Sequence, residues 1–423
     1  MNYLTKYVPL FLCICLMQIA SCQTIPTNER VQKWKSDIDE LLSKIKHDHY
    51  VYHSQPIPSV LIQQAEKLKQ SVAQYSDERM LIELERLMFY LGDGHSYVLP
   101  FAARIVQSNF LPLHFYLFSD GMFIINAEEP YRKLVGYKVK QVASVMPQKF
   151  MNDMEGFISQ DNVMGAKWIG PFFLRFRGML ECYGLAKDAS FVKLILEDDK
   201  GRQQTQEVSF IPVPQLRGIP KLVASQLSDA PLPPLYLSNI QKNVWLKELP
   251  EENALYVQFN QVMDDADQTL SAFSNILKNK LQERKPGILI IDVRHNNGGN
   301  GELTGPIISV LRYFSKSETS RKLVIITGRN TFSAAQIFIS LAAREATVLF
   351  AGEPSSSSPN FVGEENEFEL SWSGARGSIS NRYHENIPGD KRKWIEPDIK
   401  VELSSKDYFA NHDPVLSEIF KRL

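Results

Sequence analysis

Two stretches of the chain combine a nucleophile, glycines and backbone amides in the way acyl chemistry needs. The first, Asp292-Val-Arg294-His295-Asn296-Asn297-Gly298-Gly299-Asn300-Gly301, is rich in Gly and Asn. Its backbone N–H groups can face a cavity with no Cβ in the way. The second runs Thr327-Gly328-Arg329-Asn330-Thr331-Phe332-Ser333-Ala334-Ala335-Gln336 and turns from an apolar run into a helical pattern. Ser333 falls in or just before the first helical turn, at the positive end of the helix dipole and beside N–H groups with no partner inside the helix. Such donors would stabilise the oxyanion formed when the Ser333 hydroxyl attacks a carbonyl. Alone, a Ser before a helix reads as an N-cap and an Asn-Gly pair as a turn. Together, each following an apolar strand, the segments point to nucleophilic catalysis.

Both need a rigid frame. From Ala254 onward, strand-like runs (Ala254–Phe259, Gly287–Val293, Leu323–Thr327, Thr347–Phe350) alternate with helical spacing (Asp267–Leu281, Leu303–Phe314, Ser333–Arg344). The alternation predicts a mostly parallel sheet with both segments at the carboxyl ends of its strands. Upstream, Ile38, Leu41, Leu42 and Ile45, then Leu81, Leu84, Leu87 and Met88, recur at helical spacing and predict a helical region over 31–106. Gly92 and Gly94 break its last helix and leave His95 in the following loop. Residues 107–212 change to short strands, Leu113–Phe118, Met122–Ile125 and Val192–Leu196, with turns at Ser119-Asp120-Gly121 and Asp198–Gly201. Residues 213–237 hold five prolines and read as a linker, with the core at 238–423. The expected class is a multidomain α+β chain with an α/β core.

Composition agrees and excludes other classes. The chain has 423 residues, 44% apolar and 22% charged, which suits globular domains and excludes a disordered or polytopic membrane protein. Lys+Arg number 47 against 48 Asp+Glu, so no overall field favours nucleic acid. Four cysteines in this length cannot form a disulfide scaffold. The N-terminus differs: Lys6 precedes an apolar run, Val8–Ile19, too short to span a bilayer comfortably but suited to a secretory signal. It ends in Ile19-Ala20-Ser21-Cys22, which resembles a bacterial lipobox. That resemblance implies removal of residues 1–21, lipidation of Cys22 and a tether over 22–30. The product would be an exported lipoprotein held at a membrane, on the periplasmic side or at the cell surface. Of the remaining cysteines, only Cys182 would survive cleavage beside Cys22. His47, His49 and His53 do not share a helix face, so no metal site is expected. The aromatic run Trp168–Phe176 suits core packing or the lining of a peptide groove, and Lys391-Arg392-Lys393 a solvated loop.

Taken in order, these segments resemble the C-terminal processing (tail-specific) serine peptidases, including their tricorn-like branch. Asp292-x-Arg294-x-Asn296-x-Gly298-Gly299 matches the family's D-x-R-x-N-x-G-G signature, and Thr331-Phe332-Ser333-Ala334-Ala335 its nucleophile segment. Leu91-Gly92-Asp93-Gly94-His95-Ser96 is similar to its D-G-H-[ST] element, Glu396-Pro397-Asp398-Ile399 to its E-P-D-I segment, and Asp413-Pro414-Val415-Leu416 to the start of its last helix. The resemblance implies a PDZ-like module at 107–212 and a core of crotonase-like ββα units. It implies an acyl-enzyme at Ser333, polypeptide substrates and no cofactor.

One departure bears on mechanism. Many members place a general-base lysine in a Gly-Lys-Gly context after the serine, whereas this chain reads Gly352-Glu353-Pro354-Ser355-Ser356-Ser357-Ser358-Pro359-Asn360. The tricorn-like branch uses a histidine of the D-G-H element, which implies His95, an imidazole able to exchange protons near neutral pH. A Ser–His pair needs an orienting carboxylate. Glu396 is the first choice, Glu353, Glu364, Glu385 and Asp390 are alternatives, and Ser96 is another group able to hold the ring. The oxyanion hole is expected from Gly298 or Gly299 with Ala334. Asp292, Arg294 and Asn296 are expected to brace the turn, and His295 to be local. The rival reading is a non-catalytic ligand-binding homologue resembling the interphotoreceptor retinoid-binding proteins; a non-peptide acyl hydrolase would use the same residues. Whether the resting site is assembled stays open.

Overall fold

The structure is a computed structural model that describes residues 27–213, 222–229, 232–318 and 320–423. Cys22, the signal segment and part of the 213–237 linker lie outside the described residues. The first helix, α1 (Thr27–Asp48), begins inside the stretch read as a tether. With α2 (Ser59–Ser71) and α3 (Asp77–Met88) it buries Trp34, Ile38, Leu41, Ile45, Leu81 and Leu84 in one cluster. Ser76 caps α3 by accepting from the Arg79 N–H at 3.0 Å. Beyond it, Gly92 takes φ 77°, a left-handed conformation that glycine adopts without strain, and the chain turns toward His95.

The second region is an antiparallel sheet of β1 (Leu113–Phe118), β2 (Gly121–Ala127), β3 (Lys138–Val142), β4 (Phe191–Glu197) and β5 (Gln203–Ser209), paired in that order. Asn109–Phe110 pairs with Ile211–Pro212 where the chain enters and leaves this module. Helices α4 (Pro147–Met154), α5 (Val163–Phe173) and α6 (Arg177–Glu181) are inserted between β3 and β4. The aromatic run is the second half of α5 and its exit, and Phe172, Phe173 and Phe176 join the module's core. Pro171 inside α5 and the run's continuous apolarity hide its helical period from a sequence pattern.

The core follows the expected alternation: β6 (Val244–Leu249), β7 (Ala254–Phe259), α7 (Leu270–Arg284), β8 (Ile288–Asp292), α8 (Gly305–Ser317), β9 (Lys322–Thr327), α9 (Ala334–Glu345) and β10 (Leu349–Gly352). Two longer strands, β11 (Asn360–Glu369) and β12 (Arg376–Glu385), then precede β13 (Ile399–Lys400), α10 (Ser405–Phe409) and α11 (Pro414–Arg422). The sheet order is β13-β10-β9-β8-β7-β6, parallel except at β6. Strand alternation divides its two faces. Leu255, Leu289 and Leu323 pack with α7, α8 and α9, whereas Tyr256, Ile290 and Val324 pack with Val415 and Ile419 of α11.

The hairpin β11–β12 lies outside that sheet. Tyr97–Val98 pairs antiparallel with β12, and Phe368, Leu370, Ala375 and Ile379 join the cluster of the N-terminal helices. A Cβ on Gly377 would lie 2.1 Å from the Tyr97 carbonyl oxygen, so only glycine permits this approach. Residues assigned to the core from sequence thus complete the N-terminal region, which carries His95.

Candidate active site

Three successive parallel strands end on one side of the core, and their loops make the site. β8 leads into the Gly-Asn turn, β9 into the turn before α9, and β10 into the serine loop 355–358. Ser333, the residue before α9, has φ 54° and ψ −123°. A left-handed φ on a residue with a Cβ costs about 1–3 kcal/mol and persists only where its surroundings enforce it. They do here: the Phe332 N–H donates to Asn296 O at 3.1 Å, the Thr331 hydroxyl to Val293 O at 2.9 Å, and the Ser333 N–H to Ser357 Oγ at 3.2 Å.

Gly298 lies directly against Ser333. At φ 115°, its added Cβ would lie 2.7 Å from Ser333 Cβ and 3.1 Å from the Ala334 nitrogen. The Gly298 N–H is committed to Asn296 Oδ1 at 3.0 Å, so it is not a free oxyanion donor. Of the amides expected to form that hole, this leaves those of Gly299 and Ala334; Ala334 opens α9 and has no helical acceptor.

The turn is braced from below. Asp292 receives the Arg294 Nε–H at 2.9 Å and the Tyr256 hydroxyl at 2.7 Å. Arg294 extends to both oxygens of Asp413, the N-cap of α11, and lies over the Tyr236 ring at 4.4 Å. Asn296 donates to Phe259 O at 3.1 Å. His295 stacks on Tyr236.

His95 reaches the same region from the N-terminal side. Gly94, beside it, leaves 3.0 Å between its missing Cβ and the Phe332 ring. The imidazole stacks on Phe332 at 4.3 Å and on Phe361 at 5.3 Å, and neither ring nitrogen has a hydrogen-bond partner. Burial pushes its pKa down to about 4, against the opposing charge of Asp93. The expected base is therefore close to the Ser333 turn but is not bonded to Ser333.

No expected orienting group holds the imidazole. Glu396 is exposed, takes the Trp394 indole N–H at 2.6 Å and pairs with Lys400. Its segment runs along the surface into β13, so a charged residue there meets solvent rather than the loop of His95. Glu353 is bonded to Arg329 at 2.9 Å, Glu364 pairs with His384, Glu385 accepts from Gly389 N–H, and Asp390 holds Arg392. Ser96 is bonded to Ser380. The pKa of Glu353 is lowered because Arg329 outweighs the effect of burial.

Three side chains not assigned from sequence stand out. Asp93 Oδ1 accepts from the N–H groups of His95 at 3.0 Å and Ser96 at 2.7 Å, and from the Ser380 hydroxyl at 2.6 Å. Its other oxygen takes His49 Nε2 at 3.0 Å. His49 Nδ1 accepts the Val51 N–H at 3.1 Å, which fixes the ring as the neutral Nε2–H tautomer. Asp161 is the third. It accepts from the Gly94 N–H at 2.7 Å and interacts with Ser357, whose hydroxyl takes the Ser333 N–H. Burial, then the charge of Asp93, raise its pKa to about 7, and its Oδ2 has no hydrogen-bond partner. The D-G-H motif pointed to Asp93; nothing local marks His49 or Asp161. Among the described residues, no His/Cys/Asp/Glu cluster has metal-site geometry.

Beside Phe332 lies an apolar pocket lined by Leu99, Phe101, Trp168, Ile169 and Phe172, which reaches Asn297 and Ser356. The aromatic run thus packs in the core below and forms a pocket wall above.

These features define a class: a helical region, an antiparallel module and a parallel α/β core that converge on a strained serine. Among solved structures, the chain has the fold of mature CPAF in complex with lactacystin, with TM-score 0.62, 13% identity, and coverage of 92% of this chain and 98% of that one. A CPAF point mutant matches at TM-score 0.63 and 13% identity over 92% of this chain and 96% of its own. The photosystem II D1 C-terminal processing protease is matched at 12% identity over 92% and 96% of the two chains, with a TM-score of 0.39 that carries no weight. No family model and no curated protein matches the chain.

Proposed function

We propose that the chain is a serine endopeptidase that hydrolyses unfolded or C-terminally exposed polypeptides through an acyl-enzyme at Ser333. The observation that carries this reading is the strained Ser333 at the start of α9, packed against a glycine that can have no side chain. The Ser333 oxygen attacks the scissile carbonyl, and its proton passes to His95. The carbonyl oxygen becomes an oxyanion held by the N–H groups of Ala334 and Gly299. His95 then returns the proton to the leaving amine, and water hydrolyses the ester by the same route. For this His95 leaves its stack on Phe332, so the resting state is one step from the engaged one. Asp93 holds the His95 loop and Asp161 supports the nucleophile's turn. A large apolar substrate side chain fills the pocket at Trp168.

The antiparallel module is read as PDZ-like and the core units as crotonase-like. The lipobox supports export and anchoring through Cys22. The test is cleavage of an unfolded protein by residues 23–423 beside Ser333→Ala and His95→Ala. Losses of about 10³-fold or more in both variants support the mechanism. Equal silence of the parent and Ser333→Ala, with the fold intact, would turn the reading toward a binding protein.

A further inference from the structure

Buried polar atoms without a hydrogen-bond partner gather at Gly94, where the N-terminal region, the module and the core touch: both ring nitrogens of His95 and Oδ2 of Asp161. His95 follows Gly94 in the chain and stacks on Phe332. Asp161 accepts the Gly94 N–H on its other oxygen at 2.7 Å. The space of the missing Gly94 Cβ lies 3.0 Å from the Phe332 ring and 3.3 Å from the Asp161 nitrogen. Buried polar atoms are ordinarily paired, so this open cluster requires an account.

Asp161 sits on an anchored turn of the module. Asn162, the N-cap of α5, donates to Ser355 O at 3.2 Å and to Lys393 O at 2.8 Å. The carboxyl thus has the serine loop on one side and the His95 loop on the other. The other buried carboxyls near that loop are occupied. Asp93 Oδ1 holds the His95 and Ser96 N–H groups and the Ser380 hydroxyl, and Oδ2 holds His49. Glu85 accepts the Val98 N–H at 2.6 Å on one oxygen and the Ser159 N–H at 3.1 Å on the other.

We infer that Asp161 is the residue that positions the His95 ring when the two loops engage, its open Oδ2 accepting one ring N–H. This role rests on the peptidase reading. The second ring nitrogen, bare, then takes the proton of Ser333. The imidazolium so formed keeps its bond to the carboxylate and passes the Ser333 proton to the leaving amine, while Asp161 stays ionised throughout. The serine comes from the core, the imidazole from the N-terminal region and the carboxyl from the module, so all three have to dock for turnover.

To accept in this way the carboxyl has to be ionised. Its pKa is near 7, so positioning is present above that pH and lost as pH falls through it. His95 acting alone would lose activity only near pH 4. The titratable groups around the pair are Asp93 on the His95 loop, His49 after α1, Glu85 on α3, His384 on β12 and Lys393 on the segment joined to Asn162; serine loop 355–358 carries none. Of these, Glu85, pushed up to about 8 by burial, titrates close enough to need its own control.

The experiment is the dependence of kcat and KM on pH, from about 5 to 9, for cleavage of an unfolded protein by the parent, Asp161→Asn, Glu85→Gln and Ser333→Ala. The parent should lose activity on the acid side near pH 7. Asp161→Asn keeps an acceptor for the Gly94 N–H, yet should lower kcat about 10²–10⁴-fold with little change in KM and lose the limb at 7. Glu85→Gln should leave that limb in place. Near-parental kcat or an unmoved limb in a folded Asp161→Asn chain overturns the inference, as does a limb that moves in Glu85→Gln. If Asp161→Asn does not fold, the parent decides: a limb near 7 that survives in Glu85→Gln supports the role, and activity undiminished down to pH 5 overturns it. A parent no faster than Ser333→Ala at any pH sinks the peptidase reading and this role with it, whereas an active parent with an indifferent Asp161→Asn sinks this role alone.

Discussion

The two halves of the candidate site are built in opposite ways. Ser333 is held by neighbours from the ends of adjacent parallel strands, all within the core: Asn296, Val293, Gly298 and Ser357. His95 is held by groups far apart in the chain. His49 comes from the segment after α1, Asp93 from its own loop, and Ser380 and Phe361 from the hairpin β11–β12. The strain at Ser333 is thus locked into a rigid sheet, while His95 depends on long-range contacts between the N-terminal helices and a hairpin that lies outside the core sheet. The first arrangement is local to one sheet; the second joins segments distant in the chain. This difference explains how a fully formed serine turn coexists with an imidazole that makes no hydrogen bond.

The sharpest way to break the core half is Gly298→Ala. Its Cβ would enter the space of Ser333, and turnover of an unfolded substrate should fall by about 10²–10³-fold. The same contact and the φ of 115° should also lower the stability by about 1–3 kcal/mol, so turnover is compared at a temperature where both chains are folded. Near-parental turnover would mean that the glycine does not set the position of Ser333. On the other half, Asp93→Asn removes the charge that joins His49, the His95 loop and Ser380. Urea unfolding should show a loss of about 3 kcal/mol. A change below about 0.5 kcal/mol, within the range of ordinary surface substitutions, would show that the loop is held by packing instead.

Protonation sharpens the comparison, because His95 and Asp161, which touches the His95 loop through the Gly94 N–H, respond to pH with opposite sign. His95 has its folded pKa near 4, below the ordinary 6.5, so the unfolded chain binds the extra proton. Its contribution is present above pH 6.5 and lost as pH falls toward 4. Asp161 has its folded pKa near 7, above the ordinary 3.8. Its contribution is present below 3.8 and lost as pH rises through 7. His95→Gln should therefore gain on the parent as pH falls, and Asp161→Asn should gain as pH rises, each by roughly 3–4 kcal/mol across its window. Parallel stability curves for parent and variants, from urea melts at pH 4 to 8, would refute these assignments. The smallest effect concerns the strain itself. Ser333→Gly should be about 1 kcal/mol more stable than Ser333→Ala, reversing the usual order, because only glycine accepts φ 54° freely.

Legibility followed the same division. The strands Ala254–Phe259 and Leu323–Thr327 and the helix after Ser333 could be read directly, since fully buried strands and the helices between them leave strong apolar patterns. The hairpin β11–β12 could not. Its sequences, Asn-Phe-Val-Gly-Glu-Glu-Asn-Glu-Phe-Glu and Arg-Gly-Ser-Ile-Ser-Asn-Arg-Tyr-His-Glu, are polar, and only the helices of another region cover its few apolar residues. Glu396 was attractive by its place in a motif, but a motif gives chain position and not the direction of a side chain. Asp161 and His49 carry no local signal because their roles come from residues in other regions of the chain.

By itself the sequence determined the α/β core, the serine at a strand-to-helix turn, the glycines beside it and the bracing roles open to Asp292, Arg294 and Asn296. Each depends on local backbone conformation or on residues close to the signature turn. Tertiary structure alone decided that Glu396 faces solvent and that His95 rests between aromatic rings on an Asp93–His49 support. Burial and pairing are properties of elements brought together across hundreds of residues, and the order of residues along the chain does not contain them in readable form.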